Sequence, residues 1–296
     1  MAKKLIIILL PVVLYGSDFG YNFLKMPMLP SQAVFGPSLV ATTQPASYTV
    51  NPSAIPEDRE AVLSLNSYID GIKYGQIAFA TSGMGFHINF LNSGKIPRID
   101  EEGVYQGDFQ VNFINAGVSR VVSRPGGIPI GVQGNITVQQ IYNDMSVGVT
   151  FAAGVNYTTT KFFMGRLNLG ASIRNVGVEV KKFKNSGSVK MPIELQSGVY
   201  WEATPSFGIG AGLAYSIDYG PSFSLATSFN IQKYVVARVG FNSKGLNYRV
   251  GVGRDIISGM NFGLHLGPIK NVSIEYGYSP LGALGDAHRL EVIYNL

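Results

Sequence analysis

From about Arg59 to the C-terminus the chain alternates apolar with small or polar residues in segments of roughly ten, separated by clusters of Gly, Asn, Asp, Pro and Ser. Between Ser146 and Tyr157, the residues Val147, Val149, Phe151, Ala153, Val155 and Tyr157 share one face, opposite Ser146, Gly148, Thr150, Ala152, Gly154 and Asn156. Phe207, Ile209, Ala211, Leu213, Tyr215 and Ile217 alternate in the same way with Gly208, Gly210, Gly212, Ala214 and Ser216. A period of two means strands, and helical spacing fits none of these segments. Fifteen strand-like segments can be marked out, the last running to Leu296. Single-chain bacterial barrels have even numbers, so fourteen is the expected total, with one segment split or folded back.

The second face decides between two architectures. In a soluble sandwich it meets water and carries Lys, Glu and Thr. Here it is mostly Gly, Ala, Ser and Asn, which suits an enclosed lumen with the apolar face turned outward to lipid. The strand charges obey the same parity. Arg166 and Arg174 oppose Leu167, Leu169, Ala171 and Ile173; Arg249 opposes Tyr248 and Val250; Glu275 opposes Ile274 and Tyr276; Glu291 opposes Leu290 and Val292. An Arg or Lys facing lipid at mid-membrane costs ~2–4 kcal/mol, so Arg166, Arg174, Arg238, Arg249, Glu275 and Glu291 are expected inside. There they either form a stabilising network with the N-terminal residues or line a path for a polar solute or ligand headgroup. The parity slips between Phe109 and Val122, near Asn115, as a bulge would make it do. Tyrosines including Tyr74, Tyr142, Tyr200, Tyr215 and Tyr294, together with Trp201, fall toward strand ends, as in the aromatic girdles of membrane barrels.

Composition narrows the reading further. Of 296 residues only 14% are charged and none is cysteine, which removes disulfide scaffolds, thiolate metal sites and cysteine nucleophiles. No cofactor is called for. The formal charge of +5 includes Lys3 and Lys4, which precede the apolar run Leu5–Leu14 and then Tyr15-Gly16-Ser17 in the order of a secretory signal. Residues 1–16 are therefore expected to be a signal peptide, and nucleic-acid binding gains no support. No downstream apolar run reaches the ~18 residues a membrane helix needs.

Residues 17–58 differ from the rest of the chain, with six prolines in a weakly patterned stretch whose Phe19, Tyr21, Phe23, Leu24, Met26, Met28 and Leu29 are too apolar for a solvated tail. A plug-like segment ahead of a barrel at 59–296 is expected. The internal Gly-Ile-Gly-Ala-Gly run at 208–212 lies inside a strand, so it marks inward positions approached closely by other backbone and not a phosphate loop. Loops are expected at Asn92–Gln106, Ser123–Gly127 and Val176–Lys190, all on the outer side. Ser279, Asp286 and His288 have only a loose triad-like order, better read as turn chemistry, and His87, His265 and His288 lack metal-ligand spacing. No metal site and no catalytic residue is assigned.

Several motifs in order resemble those of the PorV/PorQ family of FadL-like outer-membrane barrels. They are Tyr21-Asn22-Phe23-Leu24-Lys25-Met26-Pro27, Gly36-Pro37-Ser38-Leu39-Val40-Ala41 and Asn51-Pro52-Ser53, the last departing at Ser53 from the family's alanine. Asp100-Glu101-Glu102-Gly103, Arg174-Asn175-Val176-Gly177 with Met191-Pro192, and the closing Tyr276 to Leu290 continue the series. The resemblance implies an all-β transmembrane antiparallel barrel of fourteen strands with an N-terminal plug, in the outer membrane of a Gram-negative-type bacterium. It implies no enzymatic activity. Its partners would be outer-membrane lipids with either hydrophobic small molecules, which FadL relatives carry, or exported proteins in type IX secretion. A general diffusion porin and a purely structural barrel are the alternatives.

Overall fold

The computed structural model describes residues 20–163, 165–184, 186–247, 257–282 and 285–296. The expected signal peptide and Arg249 lie outside the described residues. Antiparallel strands close into a fourteen-stranded barrel. The first half comprises β1 (Glu60–Ser67), β2 (Lys73–Thr81), β3 (Met84–Asn92), β6 (Val111–Ser123), β7 (Ile130–Ile141), β8 (Asp144–Phe162) and β9 (Gly165–Lys181). The second comprises β10 (Glu194–Thr204), β11 (Phe207–Ser216), β12 (Gly220–Gln232), β13 (Val235–Asn242), β14 (Met260–Ile269), β15 (Val272–Pro280) and β16 (Asp286–Asn295). Each strand pairs with its sequence neighbours, and β1 closes the wall against β16 with Leu63 opposite Val292. Closure leaves no unpaired edge, the condition for a sheet to survive where water cannot satisfy backbone groups. The remaining two strands, β4 (Ile96–Ile99) and β5 (Tyr105–Phe109), form a separate hairpin within the β3–β6 connection.

Alternation fixes the two faces. Leu65, Ile77, Ile88, Ile136, Phe151, Leu213 and Leu225 are exposed outward, whereas Ser64, Gln76, Thr137, Thr150 and Ser216 are buried inward. Three readings of the sequence need correction. Asn115 is not at a bulge: it pairs regularly with Asn89 and Thr137, and the register shift in β6 comes at Val121–Ser123. The apparent slip has another cause. Phe109 belongs to β5, and Phe113 turns inward to stack on Phe23 with ring centroids 4.7 Å apart. Second, β9 runs on to Lys181, because Asn175, at φ 59°, absorbs a bulge that keeps Val176, Val178 and Val180 outward. Third, Tyr74 and Tyr200 are buried inside the barrel and take no part in an outer girdle.

Chain direction sorts the connections between the two ends. The loops at 93–110 and 182–193 share one end, but the 124–129 loop lies at the other, beside the turn at 82–83 and the start of β1. Strands alternate up and down, so consecutive connections cannot share an end. The expectation that all three long loops lie on the same side fails for Ser123–Gly127.

A fourteen-stranded wall is too wide for its own inward side chains to fill, and residues 20–59 occupy the space. A short helix, α1 (Pro30–Phe35), packs against β13, β14 and β15, and the 3-10 turn after it (Gly36–Ala41) packs against β9, β10, β11 and β12. Pro30 at the start and Gly36 at φ 52° bound the helix, and the Gln32 side chain accepts the Met28 and Leu29 amides at 2.5 and 3.2 Å. Phe35, Leu39 and Val40 gather around Tyr200 as one apolar cluster; Phe23, Met28, Leu29 and Tyr48 form another with Tyr74 and Leu91.

Candidate functional site

Wall glycines make room for the N-terminal segment. Gly198 and Gly212 face the Pro37–Ser38 backbone, Gly170 the Val40 carbonyl, Gly240 the Val34 carbonyl, Gly154 the Asn51 side chain and Gly131 the Pro52–Ser53 peptide. A Cβ at any of these positions would overlap the segment. This accounts for the Gly-rich inward parity read from the sequence, including Gly210, whose nearest neighbour is Ser38.

Asn51 anchors the part of the segment that leads into β1. Its Nδ2 donates to the carbonyls of Val40 (2.7 Å) and Val155 (3.2 Å), tying two parts of the segment to β8. Its Oδ1 accepts both the Ser53 amide (3.2 Å) and the Ser53 hydroxyl (2.7 Å), a side-chain turn that fixes the amide orientation. The hydroxyl that distinguishes Ser53 from alanine thus has a partner. Pro52 carries no amide hydrogen, and its carbonyl lies against Gly131.

The strand charges fall into two groups plus an outlier. Arg238 pairs with Glu275, lies with its guanidinium 5.8 Å from the Phe35 ring, and donates to Gln44 Oε1 at 2.7 Å. His265 Nδ1 is 3.4 Å from the same Glu275 carboxylate. Glu291 stands directly across the ladder from Glu275, buried, and Glu60 nearby accepts the Ala46 amide at 2.8 Å. The second group is nearer the end that carries the 93–110 and 182–193 loops. Arg174 donates to the Leu24 carbonyl and to Glu194, both at 3.2 Å, and Glu194 also meets Lys244 Nζ at 2.5 Å. Arg166 stands apart near the opposite rim, half exposed and 4.0 Å from Glu202.

Alternation does not single out Glu194, Lys25 or Asp218. Glu194 begins its strand one residue after Ile193, and the other two lie outside any strand. Lys25 and Asp218 form a buried ion pair, with Lys25 Nζ 4.0 Å above the Tyr219 ring and the Ser216 hydroxyl on the other Asp218 oxygen. Burial pushes the Asp218 carboxyl up, but Lys25 and Ser216 more than reverse this and hold it below the ordinary aspartate range. A depressed carboxylate contributes stability above its unfolded value, about 3.9, and loses it as pH falls through the folded one. Wild type and Asp218→Asn should therefore differ in thermal midpoint at pH 6 and converge as pH drops below that value, followed by heat-modified gel mobility.

Ser279, Asp286 and His288 are not brought together. The Ser279 hydroxyl points inward, donating to Asn261 Oδ1 and accepting from Arg289, which also reaches the Pro27 carbonyl. His288 faces outward, 2.7 Å from the Tyr276 hydroxyl, and Asp286 accepts from Tyr278. On the outer wall a groove runs between Phe79, Phe86 and Ile88 on one side and Ile136 and Val149 on the other, floored by the small residues Ala116 and Gly134.

Solved structures share this architecture. A toluene transporter from Pseudomonas putida, TodX, superposes with a TM-score of 0.61 at 12% identity, covering 94% of this chain and 98% of its own. The Ralstonia pickettii toluene transporter TbuX gives 0.56 at 11%, over 93% and 98%. A Pseudomonas aeruginosa FadL homologue gives 0.54 at 11%, over 95% and 100%. The sequence matches no protein-family model and no curated protein. The chain has the fold of the FadL-like barrels.

Proposed function

We propose that this protein is an outer-membrane barrel that carries small hydrophobic molecules, with residues 20–59 acting as its plug. The observation that carries the reading is the N-terminal segment seated on the glycines of the lumen wall, in a barrel whose fold is shared nearly end to end with transporters of toluene. An outward band of aliphatic and aromatic side chains supports placement in a membrane, and the closed fourteen-stranded wall supports the outer membrane of a Gram-negative-type bacterium. A diffusion porin fits poorly, because a porin needs an open aqueous lumen.

Reconstituted in planar bilayers, the full chain should conduct far less than an open porin, and its expression should speed uptake of a monoaromatic hydrocarbon by cells lacking such a carrier. Steady porin-like conductance of the intact chain, or hydrocarbon uptake no faster than in empty-vector cells, would overturn the proposal. The finer assignment to PorV/PorQ, with a place in type IX secretion, is supported by the order of motifs from Tyr21 to Leu290. It predicts that exported proteins copurify through the loops at the outer end.

A further inference from the structure

The groove on the outer wall over Ala116 and Gly134 holds about 600 Å³, within the roughly 300–1,000 Å³ of sites that bind small ligands. Its walls are aliphatic and aromatic, and it lies in the outward band of apolar side chains. The floor is open: a Cβ on Gly134 would meet only the Phe151 ring, at 3.8 Å. Register places one lip of the groove. Phe86, Val118 and Gly134 stand opposite one another across β3, β6 and β7, and the next outward row towards the 124–129 loop is Met84, Arg120 and Val132.

Arg120 breaks the parity that sends strand charges inward. It shares the outward face of β6 with Ile114 and Val118 and is exposed, while Ser119 beside it is buried. An arginine among acyl chains is costly at mid-membrane, and the cost falls away near the headgroups. Arg120 lies three residues before the end of β6, ~10 Å along the strand, so its stem can rest on apolar surface while the guanidinium reaches headgroup level. Its side chain has no hydrogen bond or ion pair among the described residues, whereas Arg124, just past the strand, is engaged by Glu57 at 3.5 Å. A guanidinium without a partner calls for an anion whose oxygens match its fork, and a phosphate supplies them. With no carboxylate paired to Arg120, nothing at this lip complements the ammonium of a zwitterionic headgroup.

We propose that the groove and Arg120 together bind one anionic phospholipid, with an acyl chain over Ala116 and Gly134 and the phosphate on the Arg120 guanidinium. The inference rests on the outward face of the barrel being its lipid-facing side, and not on what the lumen carries.

The test is native mass spectrometry of the full chain released from detergent and titrated with phosphatidylglycerol, phosphatidylethanolamine and diacylglycerol of equal chain length. Phosphatidylglycerol should bind about tenfold tighter than either, the low end of what a charge-assisted hydrogen bond supplies. Arg120→Gln should erase that preference. Gly134→Leu, which fills the groove without meeting backbone, should weaken phosphatidylglycerol and diacylglycerol alike. Equal binding of the three lipids by wild type, or unchanged phosphatidylglycerol binding in either variant, would overturn the assignment. So would a two-chain species that Gly134→Leu abolishes, because the groove would then belong to a second copy. Folding into phosphatidylcholine vesicles, read by heat-modified gel mobility, tests the membrane reading separately. A wild-type chain that folds into them without discriminating the lipids loses this site alone, and one that does not fold into them loses both.

Discussion

Arg238→Met should destabilise the barrel by about 3–5 kcal/mol, the cost of breaking a buried ion pair from one side. The substitution keeps much of the side-chain volume against Phe35 but leaves Glu275, fully buried, with only the His265 imidazole beside it and Glu291 directly across the ladder. It also frees Gln44, so the N-terminal segment loses a tether to β13. The diagnostic comparison is the double variant Arg238→Met with Glu275→Leu. Hydrophobic replacement of both partners removes the desolvation cost along with the attraction, so most of the lost stability should return. Urea unfolding in detergent, read by heat-modifiable gel mobility, separates the cases. A double variant as unstable as the single one would mean that Arg238 acts mainly through Gln44 and Phe35.

The second large effect is expected at the glycines. A side chain at Gly240 would meet the Val34 carbonyl and one at Gly212 the Ser38 amide, and in both cases the obstacle is backbone, which cannot rotate away. Overpacking of this kind costs roughly 1–3 kcal/mol per site, and the two sites grip this stretch on either side of the junction between α1 and the adjoining 3-10 turn. The double variant Gly212→Val with Gly240→Val should therefore release residues 30–41 while leaving the wall's hydrogen bonds intact. In planar bilayers it should conduct like a channel where wild type is nearly silent. Gly187, whose added Cβ meets nothing within 4 Å and whose φ is not in the left-handed range, supplies the control site for the same valine substitution.

The wall was legible because a two-residue period is a local property. Parity placed Ser146 to Tyr157 and Phe207 to Ser216 on their correct faces, and it turned Arg174, Arg238, Glu275 and Glu291 inward without any knowledge of their neighbours. Partners were not legible. Arg174 meets Glu194 through register across two strands, and Lys25 meets Asp218 across 193 residues of sequence, distances over which alternation carries no information. Phe113 and Tyr200 misled for a related reason: an aromatic at an inward position looks like an exception to the pattern until the ring it touches, Phe23 or Phe35, is in place. The extended β9 shows the limit of parity itself, since one left-handed residue at Asn175 inverts the phase and makes a continuing strand look like a loop.

The seam between β1 and β16 has a consequence for biogenesis. Residues 20–59 run through the lumen from Lys190 at one mouth and join β1 at the other, so pairing of β1 with β16 around this segment closes the wall over it. Completion of the cylinder is then also an act of enclosure, set by the long-range pairing of β16 with β1. A newborn chain that zips too early would seal itself hollow, with its own beginning stranded outside.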